Sequence, residues 1–282
     1  MSNFIALLKT YRPLLLPAPF LIFGLGLLLS DGRFSGIAFI QVFLVTFFAP
    51  ILVFGVNDVF DYETDSQNPR KLNKFFGGIA EKKYHNFIIK SAILVSSLLI
   101  LISVLTLNWL NFIAMIAAIS TAWDYSFPGI NLKSKPLGDV FSNIVGLGSI
   151  AVLGVSFGSL DSLFFNVPPE RIVGIILALT MASLLAGLAD FESDEQAGIT
   201  TTAIYIGKKW TVVLGLLSIL PLTVINFREA EFLKWSIFVI ILTYLPLLWL
   251  YKNKRIVSLV YGLIAIITMV SFGVYLNNLL LV

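Results

Sequence analysis

Four carboxylates and an amide crowd the run Val56-Asn57-Asp58-Val59-Phe60-Asp61-Tyr62-Glu63-Thr64-Asp65, and three of the carboxylates share one helix face with the amide. Read as helix, Asp61 and Asp65 lie about 60° and 20° from Asp58, and Asn57 falls within the same arc of about 100°. Like charges at that spacing destabilise a helix, so a cation must offset them. Glu63 falls about 140° from Asp58 and belongs to another face. A second acidic run, Ala189-Asp190-Phe191-Glu192-Ser193-Asp194-Glu195, sets Asp190 and Asp194 about 40° apart and turns Glu192 elsewhere. Mg²⁺ is held by one or two carboxylates and completes its octahedron with water and substrate phosphates, so paired aspartate clusters suit a diphosphate-bound Mg²⁺. The plainer alternative is a pair of solvated, capped helix ends. Two clusters, each on one face and each closing an apolar helix, argue against it, because carboxylates near a membrane need partners.

Cations follow in the right places. Arg70, Lys71 and Lys74 come after the first cluster, and Lys133 and Lys135 lie between the two. Arginine forks and lysine point charges are the usual partners of a diphosphate, which makes Arg70, Lys71 and Lys133 candidates for that role. Lys82, Lys83, Lys208 and Lys209 read instead as the positive charge of cytoplasmic loops. Asp124-Tyr125-Ser126-Phe127-Pro128 precedes Lys133, and its Pro and the following Gly break helix, leaving Tyr125 able to donate a hydrogen bond into a polar site. A tyrosine resting at the membrane interface is the competing reading. His85 reads as a solvated loop residue and Gly77-Gly78 as a turn. Neither a phosphate-binding P-loop nor a dinucleotide fingerprint occurs.

The elements that must hold these residues belong to a bilayer. The 282 residues are 58% hydrophobic and only 12% charged, with a mean hydropathy of +0.93; soluble domains carry about 25% charged residues. Soluble, disordered and fibrous classes are excluded. The absence of cysteine removes disulfides and thiolate chemistry, and the single histidine excludes a histidine metal cage. A pI near 9.0 reflects basic membrane-flanking loops and not a nucleic-acid partner. Nine apolar segments are long enough to cross: Leu14 to Ser30, Ser35 to Val56, Phe87 to Leu107, Trp109 to Thr121, Val140 to Phe157, Arg171 to Ala189, Trp210 to Asn226, Lys234 to Tyr251 and Ile256 to Leu280. Their continuous apolar character predicts helices and not barrel strands. The first segment, bracketed by Pro13 and Pro17, reads as a retained span. With the N-terminus inside, only Arg33, Arg171, Arg228 and Lys234 of the 19 basic residues face outward. That asymmetry predicts a cytoplasmic N-terminus, an external C-terminus and both acidic clusters on the cytoplasmic side. No linker divides the chain, so residues 1–282 read as one membrane domain.

In these motifs the chain resembles the UbiA-type membrane prenyltransferases. Asn57 to Asp65 matches that family's NDxxDxxxD, and Asp190 to Asp194 its DxxxD, with Gly198, Thr200 and Gly207 trailing as in relatives. The resemblance covers nearly the whole chain. It implies a nine-helix bundle around a central cavity open toward lipid. It further implies two Mg²⁺ ions held, with the donor diphosphate, by Asn57, Asp58, Asp61, Asp65, Asp190 and Asp194, while Tyr125 and Lys133 match the family's tyrosine and lysine after the fourth helix. After the first motif the chain reads Asn68-Pro69-Arg70-Lys71, unlike the Asn-Arg-Pro stretch usual in quinone- and lipid-forming members. That string looks like the carotenoid branch, such as lycopene elongases.

The activity so implied is Mg²⁺-dependent transfer of a prenyl group from an isoprenyl diphosphate to a lipophilic acceptor in the membrane, lycopene or a related carotenoid. A quinone precursor and an archaeal glycerol phosphate are alternative acceptors. A prokaryotic plasma membrane is the expected location, and no obligate protein partner is implied. A cation-coupled transporter would place acids near the bilayer midplane, whereas here they gather at one membrane edge.

Overall fold

The computed structural model describes residues 2–66, 77–166, 169–196 and 198–226, all of which are helix, turn or loop. Spatial proximity groups the chain into two units, Met1–Val167 and Pro168–Val282.

In the first unit a short helix α1 (Asn3–Thr10) leads through a 3₁₀ turn (Pro13–Leu15) to α2 (Pro17–Leu29), Pro13 and Pro17 each standing at the first position of their element. Proline fits the first helical turn because its missing N–H would be unpaired there anyway. α3 (Gly36–Phe47) is capped by Ser35, whose hydroxyl accepts from Ala38 N–H at 3.2 Å. The expected second span does not run unbroken into the acidic motif. Pro50, which has no N–H for the α-helical ladder, is followed by a π-helical stretch at Ile51–Gly55, then by α4 (Val56–Phe60) and α5 (Tyr62–Asp65), with Asp61 as a non-helical joint between them. Such wider turns are common at functional sites. Here the π segment shifts the helix face just before Asn57.

α6 (His85–Leu105), α7 (Trp109–Asp124) and α8 (Gly138–Val155) follow, then the short α9 (Leu160–Asn166). Asn108 caps α7 by accepting from Leu110 N–H at 2.9 Å and Asn111 N–H at 3.3 Å. The core joins Phe23, Val42, Leu52, Leu99, Met115 and Leu153, drawn from α2, α3, the π segment, α6, α7 and α8. Among the described residues, three stretches are long and apolar enough to cross a membrane: Gly36–Phe60, Lys82–Leu105 and Gly138–Val155. Their outward residues are apolar too. Phe39, Phe43 and Phe47 stand exposed on one face of α3 with neighbouring rings 6.5 and 4.9 Å apart, and Leu94, Leu101 and Leu105 do the same on α6. Water would penalise such surfaces; lipid does not.

At the end of this unit away from the acidic motif, a polar knot ties four helices. Gln41 and Asn111 are both fully buried and exchange two amide hydrogen bonds, 2.8 and 2.9 Å. Asn111 also donates to Ser156 Oγ at 2.7 Å and accepts from Ser103 Oγ, while Asn108 donates to the Ser156 carbonyl at 2.8 Å. Close packing of α2 on α8 depends on two glycines. A Cβ on Gly26 would overlap the Ala151 carbonyl, and one on Gly154 the Phe23 carbonyl.

The second unit holds α10 (Pro169–Gln196) and α11 (Thr202–Asn226). α10 ends where Gly198, at φ +70°, lets Ile199 N–H return to the Asp194 carbonyl at 2.9 Å. α11 is interrupted at Gly207 (φ 81°, ψ 156°), just before Lys208 and Lys209 and the apolar run that starts at Trp210. The expected spans Lys234 to Tyr251 and Ile256 to Leu280 lie outside the described residues.

Candidate active site

The first acidic motif meets a cation or donor from this chain at each of its first three polar positions. Asn57 and Asp58 are on α4, and Asp61 is at the joint that follows. Asp58 is buried, and its Oδ1 lies 3.4 Å from Arg12 Nη2. The Arg12 guanidinium also stands over the Phe54 ring, 4.7 Å from its centre. Arg12 occupies the bend between α1 and α2, next to the returning segment whose Gly77 N–H donates to the Lys9 carbonyl at 2.7 Å.

The loop between α7 and α8 supplies the remaining partners. Ser126, buried, donates to Asn57 Oδ1 at 2.7 Å, and Phe127 sets its ring edge-on to Phe60 at 5.6 Å. Lys133, in a 3₁₀ turn (Leu132–Ser134), forms an ion pair with Asp61, with 10% and 15% of the two side chains exposed. That turn is pinned by Lys133 N–H donating to the Tyr125 carbonyl at 3.1 Å. It also depends on left-handed backbone at Asn131 and Leu137 and on Gly138 packing tightly against the Leu132 carbonyl. Tyr125 thus anchors Lys133 through its backbone and is itself half-buried beside the site.

The residues around the motif sort themselves by where they point. Asp65 closes α5 and is partly buried. Glu63, expected on another face, is 86% exposed and pairs with Lys82 at 3.5 Å. Lys83 bonds Glu81 at 2.7 Å, and that hydrogen bond holds the Glu81 carboxyl below the usual carboxylate range. His85 is not a free loop residue. It begins α6, with its ring edge-on to Tyr62 at 5.0 Å and Nε2 3.3 Å from the Ala80 carbonyl. Arg70 and Lys71 lie outside the described residues.

In the second unit Asp190 and Asp194 sit one turn apart on α10, Asp190 exposed and Asp194 partly so. Glu192 turns away as its spacing requires and pairs with Lys208 at 3.3 Å.

Sequence reasoning passed over Arg12 and Ser126. Arg12 counted only as an inward-facing charge, although an arginine directly before Pro13 at a span entrance was the available signal. Ser126 lay inside the motif singled out for Tyr125.

Among the described residues, no three acids converge on one point. Mg²⁺ takes one or two carboxylates and fills its remaining positions with water and phosphate oxygens. The Asn57 carbonyl and the Asp58 and Asp61 carboxylates are hard oxygen donors of the type such an ion accepts, so the residues present fit it.

The chain is 26% identical to a lycopene elongase/hydratase of Corynebacterium glutamicum, over 79% of this chain and 76% of that one. It is 30% identical to the lycopene elongase/hydratase of Haloarcula japonica, over 64% and 60%. Its fold matches a UbiA homolog from Archaeoglobus fulgidus bound to DMAPP and Mg²⁺, with a TM-score of 0.66 at 17% identity, covering 97% of this chain and all of that one. The model of the UbiA prenyltransferase family matches residues 18–260, and with that span of the chain accounted for, this integral membrane protein belongs to the UbiA prenyltransferase family.

Proposed function

We propose that this prenyltransferase joins an isoprenyl unit, released from its allylic diphosphate, to a carotenoid of the lycopene type inside the membrane. The observation that carries the reading of the site is the alternation of oxygen ligands and cations at one helix end: Asn57, Asp58 and Asp61 beside Arg12 and Lys133. A diphosphate with Mg²⁺ is itself such an alternation of charge. In this reading Asn57, Asp58, Asp61 and Asp65, with Asp190 and Asp194, hold two Mg²⁺ ions. Lys133, Tyr125, Arg70 and Lys71 bind the diphosphate oxygens. The metal, when bound, offsets the charge that builds on the diphosphate as the carbon–oxygen bond breaks.

Each residue then has its own task. Lys133 and Arg12 supply cations to the departing group, since charge-assisted bonds to phosphate strengthen as its negative charge grows. Tyr125 holds the Lys133 turn in place. The apolar helices keep water from the allylic cation until the acceptor's π electrons capture it and a proton is lost. The carotenoid acceptor is supported by the two elongase relatives and by the Asn68-Pro69-Arg70-Lys71 string. Nine spans, a cytoplasmic N-terminus and a site at the cytoplasmic face complete the proposal, supported by the basic-residue asymmetry.

The test is to incubate membranes carrying the protein with labelled prenyl diphosphates and lycopene, 4-hydroxybenzoate or glycerol-phosphate acceptors, and to identify products by mass. Elongated lycopene is the expected product. A prenylated hydroxybenzoate as the main product would overturn the acceptor assignment.

A further inference from the structure

Each of the first three polar positions of the acidic motif is engaged by a donor of this same chain. Asn57 Oδ1 accepts from the Ser126 hydroxyl at 2.7 Å, Asp58 Oδ1 faces Arg12 Nη2 at 3.4 Å, and Asp61 pairs with Lys133. The partners come from the α1–α2 bend and the α7–α8 loop, so the arrangement is built across elements and is not a local helix pattern. Resting on the metal–diphosphate reading above, we infer that Arg12, Ser126 and Lys133 engage the same oxygens of Asn57, Asp58 and Asp61 that the metal would take, and must yield them when it binds. Loading is then an exchange of partners that makes Mg²⁺ and diphosphate bind as an interdependent pair.

The physical reason is burial. Only 10% of the Lys133 side chain and 15% of that of Asp61 are exposed, so their attraction is poorly screened and breaking it strands a desolvated charge. A divalent ion arriving alone at Asp61 has to displace the ammonium and then repel it at close range. A diphosphate arriving alone meets carboxylates already neutralised in pairs and must also approach their remaining oxygens. Together the two ligands resolve both problems. The metal takes the carboxylates, and the released ammonium and guanidinium take phosphate oxygens, which are strong acceptors for them. The coupling is reciprocal: whatever factor the diphosphate adds to metal affinity, the metal adds to diphosphate affinity. Ser126 enters as a positioning residue that fixes the amide orientation of Asn57, while Arg12, like Lys133, holds its carboxylate until it turns to phosphate.

The experiment measures Mn²⁺ binding to the purified full-length protein from the resonance of free Mn²⁺, with and without the non-ionising dimethylallyl thiolodiphosphate. Wild type should bind Mn²⁺ weakly alone and far more tightly with the analogue. Lys133→Met keeps side-chain length and removes the charge. It should tighten binding of Mn²⁺ alone by about ten- to a hundredfold, the usual worth of a charged hydrogen bond, and reduce the coupling factor correspondingly. Arg12→Gln, at a separate carboxylate, should act in the same direction, so the inference stands testable if either variant unfolds. Lys133→Arg should retain coupling, and Lys83→Ala, whose partner is Glu81, should behave as wild type. If Lys133→Met and Arg12→Gln bind Mn²⁺ alone no better than wild type while wild type responds to the analogue, the exchange is refuted and the metal–diphosphate site survives. If wild type binds no Mn²⁺ even with the analogue, both readings fall.

Discussion

Replacing Asn111 with alanine tests whether the polar knot, and not apolar packing alone, holds the first unit together. Asn111 is fully buried, as is Gln41, so neither can turn to water. The substitution leaves both the amide N–H and the carbonyl of Gln41 without the partners that now bind them at 2.8 and 2.9 Å. Ser156 keeps its bond to the Leu153 carbonyl at 2.6 Å and loses little. A buried polar group left unpaired costs about 1–3 kcal/mol, and interhelical bonds in membranes average about 0.6 with a maximum of about 1.7. Two such groups on Gln41, with the buried Ser103 hydroxyl that loses its acceptor, therefore put the loss at about 2–4 kcal/mol. Gln41→Leu combined with Asn111→Leu removes both amides and should be less damaging than the two single losses added together, with a coupling of about 1–2 kcal/mol. The assay is denaturant unfolding in mixed micelles, followed by helical signal, beside prenyl transfer per folded molecule. Transfer should be preserved because the knot lies at the opposite end of the helices from Asn57. A loss below about 0.5 kcal/mol for Asn111→Ala, or strictly additive single and double variants, would refute the reasoning.

Asp61→Asn and Asp194→Asn should each lower Mg²⁺-dependent transfer by orders of magnitude, Asp194→Asn with unfolding little changed and Asp61→Asn with a loss of stability because it leaves the buried Lys133 ammonium without its carboxylate, while Glu63→Gln, which meets exposed Lys82, keeps most activity; a Glu63→Gln variant as poor in transfer as the aspartate variants would remove the proposed site. Lys133→Ala should lose about ten- to a hundredfold in transfer where Lys83→Ala loses little, and equal small effects would reject the diphosphate contact. Gly154→Leu drives its side chain into the Phe23 carbonyl and should cost about 1–3 kcal/mol or more in unfolding, because neither backbone can give way. In sealed cells, a cysteine placed at Lys135 should resist an impermeant reagent and one at Asp161 should react, the reverse result inverting the membrane orientation.

Local rules carried a good part of this protein. Apolar run length is enough to place α2, α6, α8 and the Gly36–Phe60 stretch to within a few residues, because a helix in lipid must close its own backbone hydrogen bonds and needs a bilayer's length to do so. Helical spacing alone separated Glu63 and Glu192 from the aspartates, and both proved to face lysines elsewhere. What spacing could not supply was the break at Asp61 or the π-helical turns after Pro50, which depend on how this stretch packs against α6 and α7. Nor could it pair Asn57 with Ser126 across 69 positions, or Asp58 with Arg12 across 46. The Gln41–Asn111 bond, 70 positions apart, was equally invisible. A helix period repeats within one segment and so is written in neighbouring residues; the choice of which cation meets which carboxylate is made only when separate helix ends are brought together, by the packing of side chains that are themselves plain leucine, valine and phenylalanine.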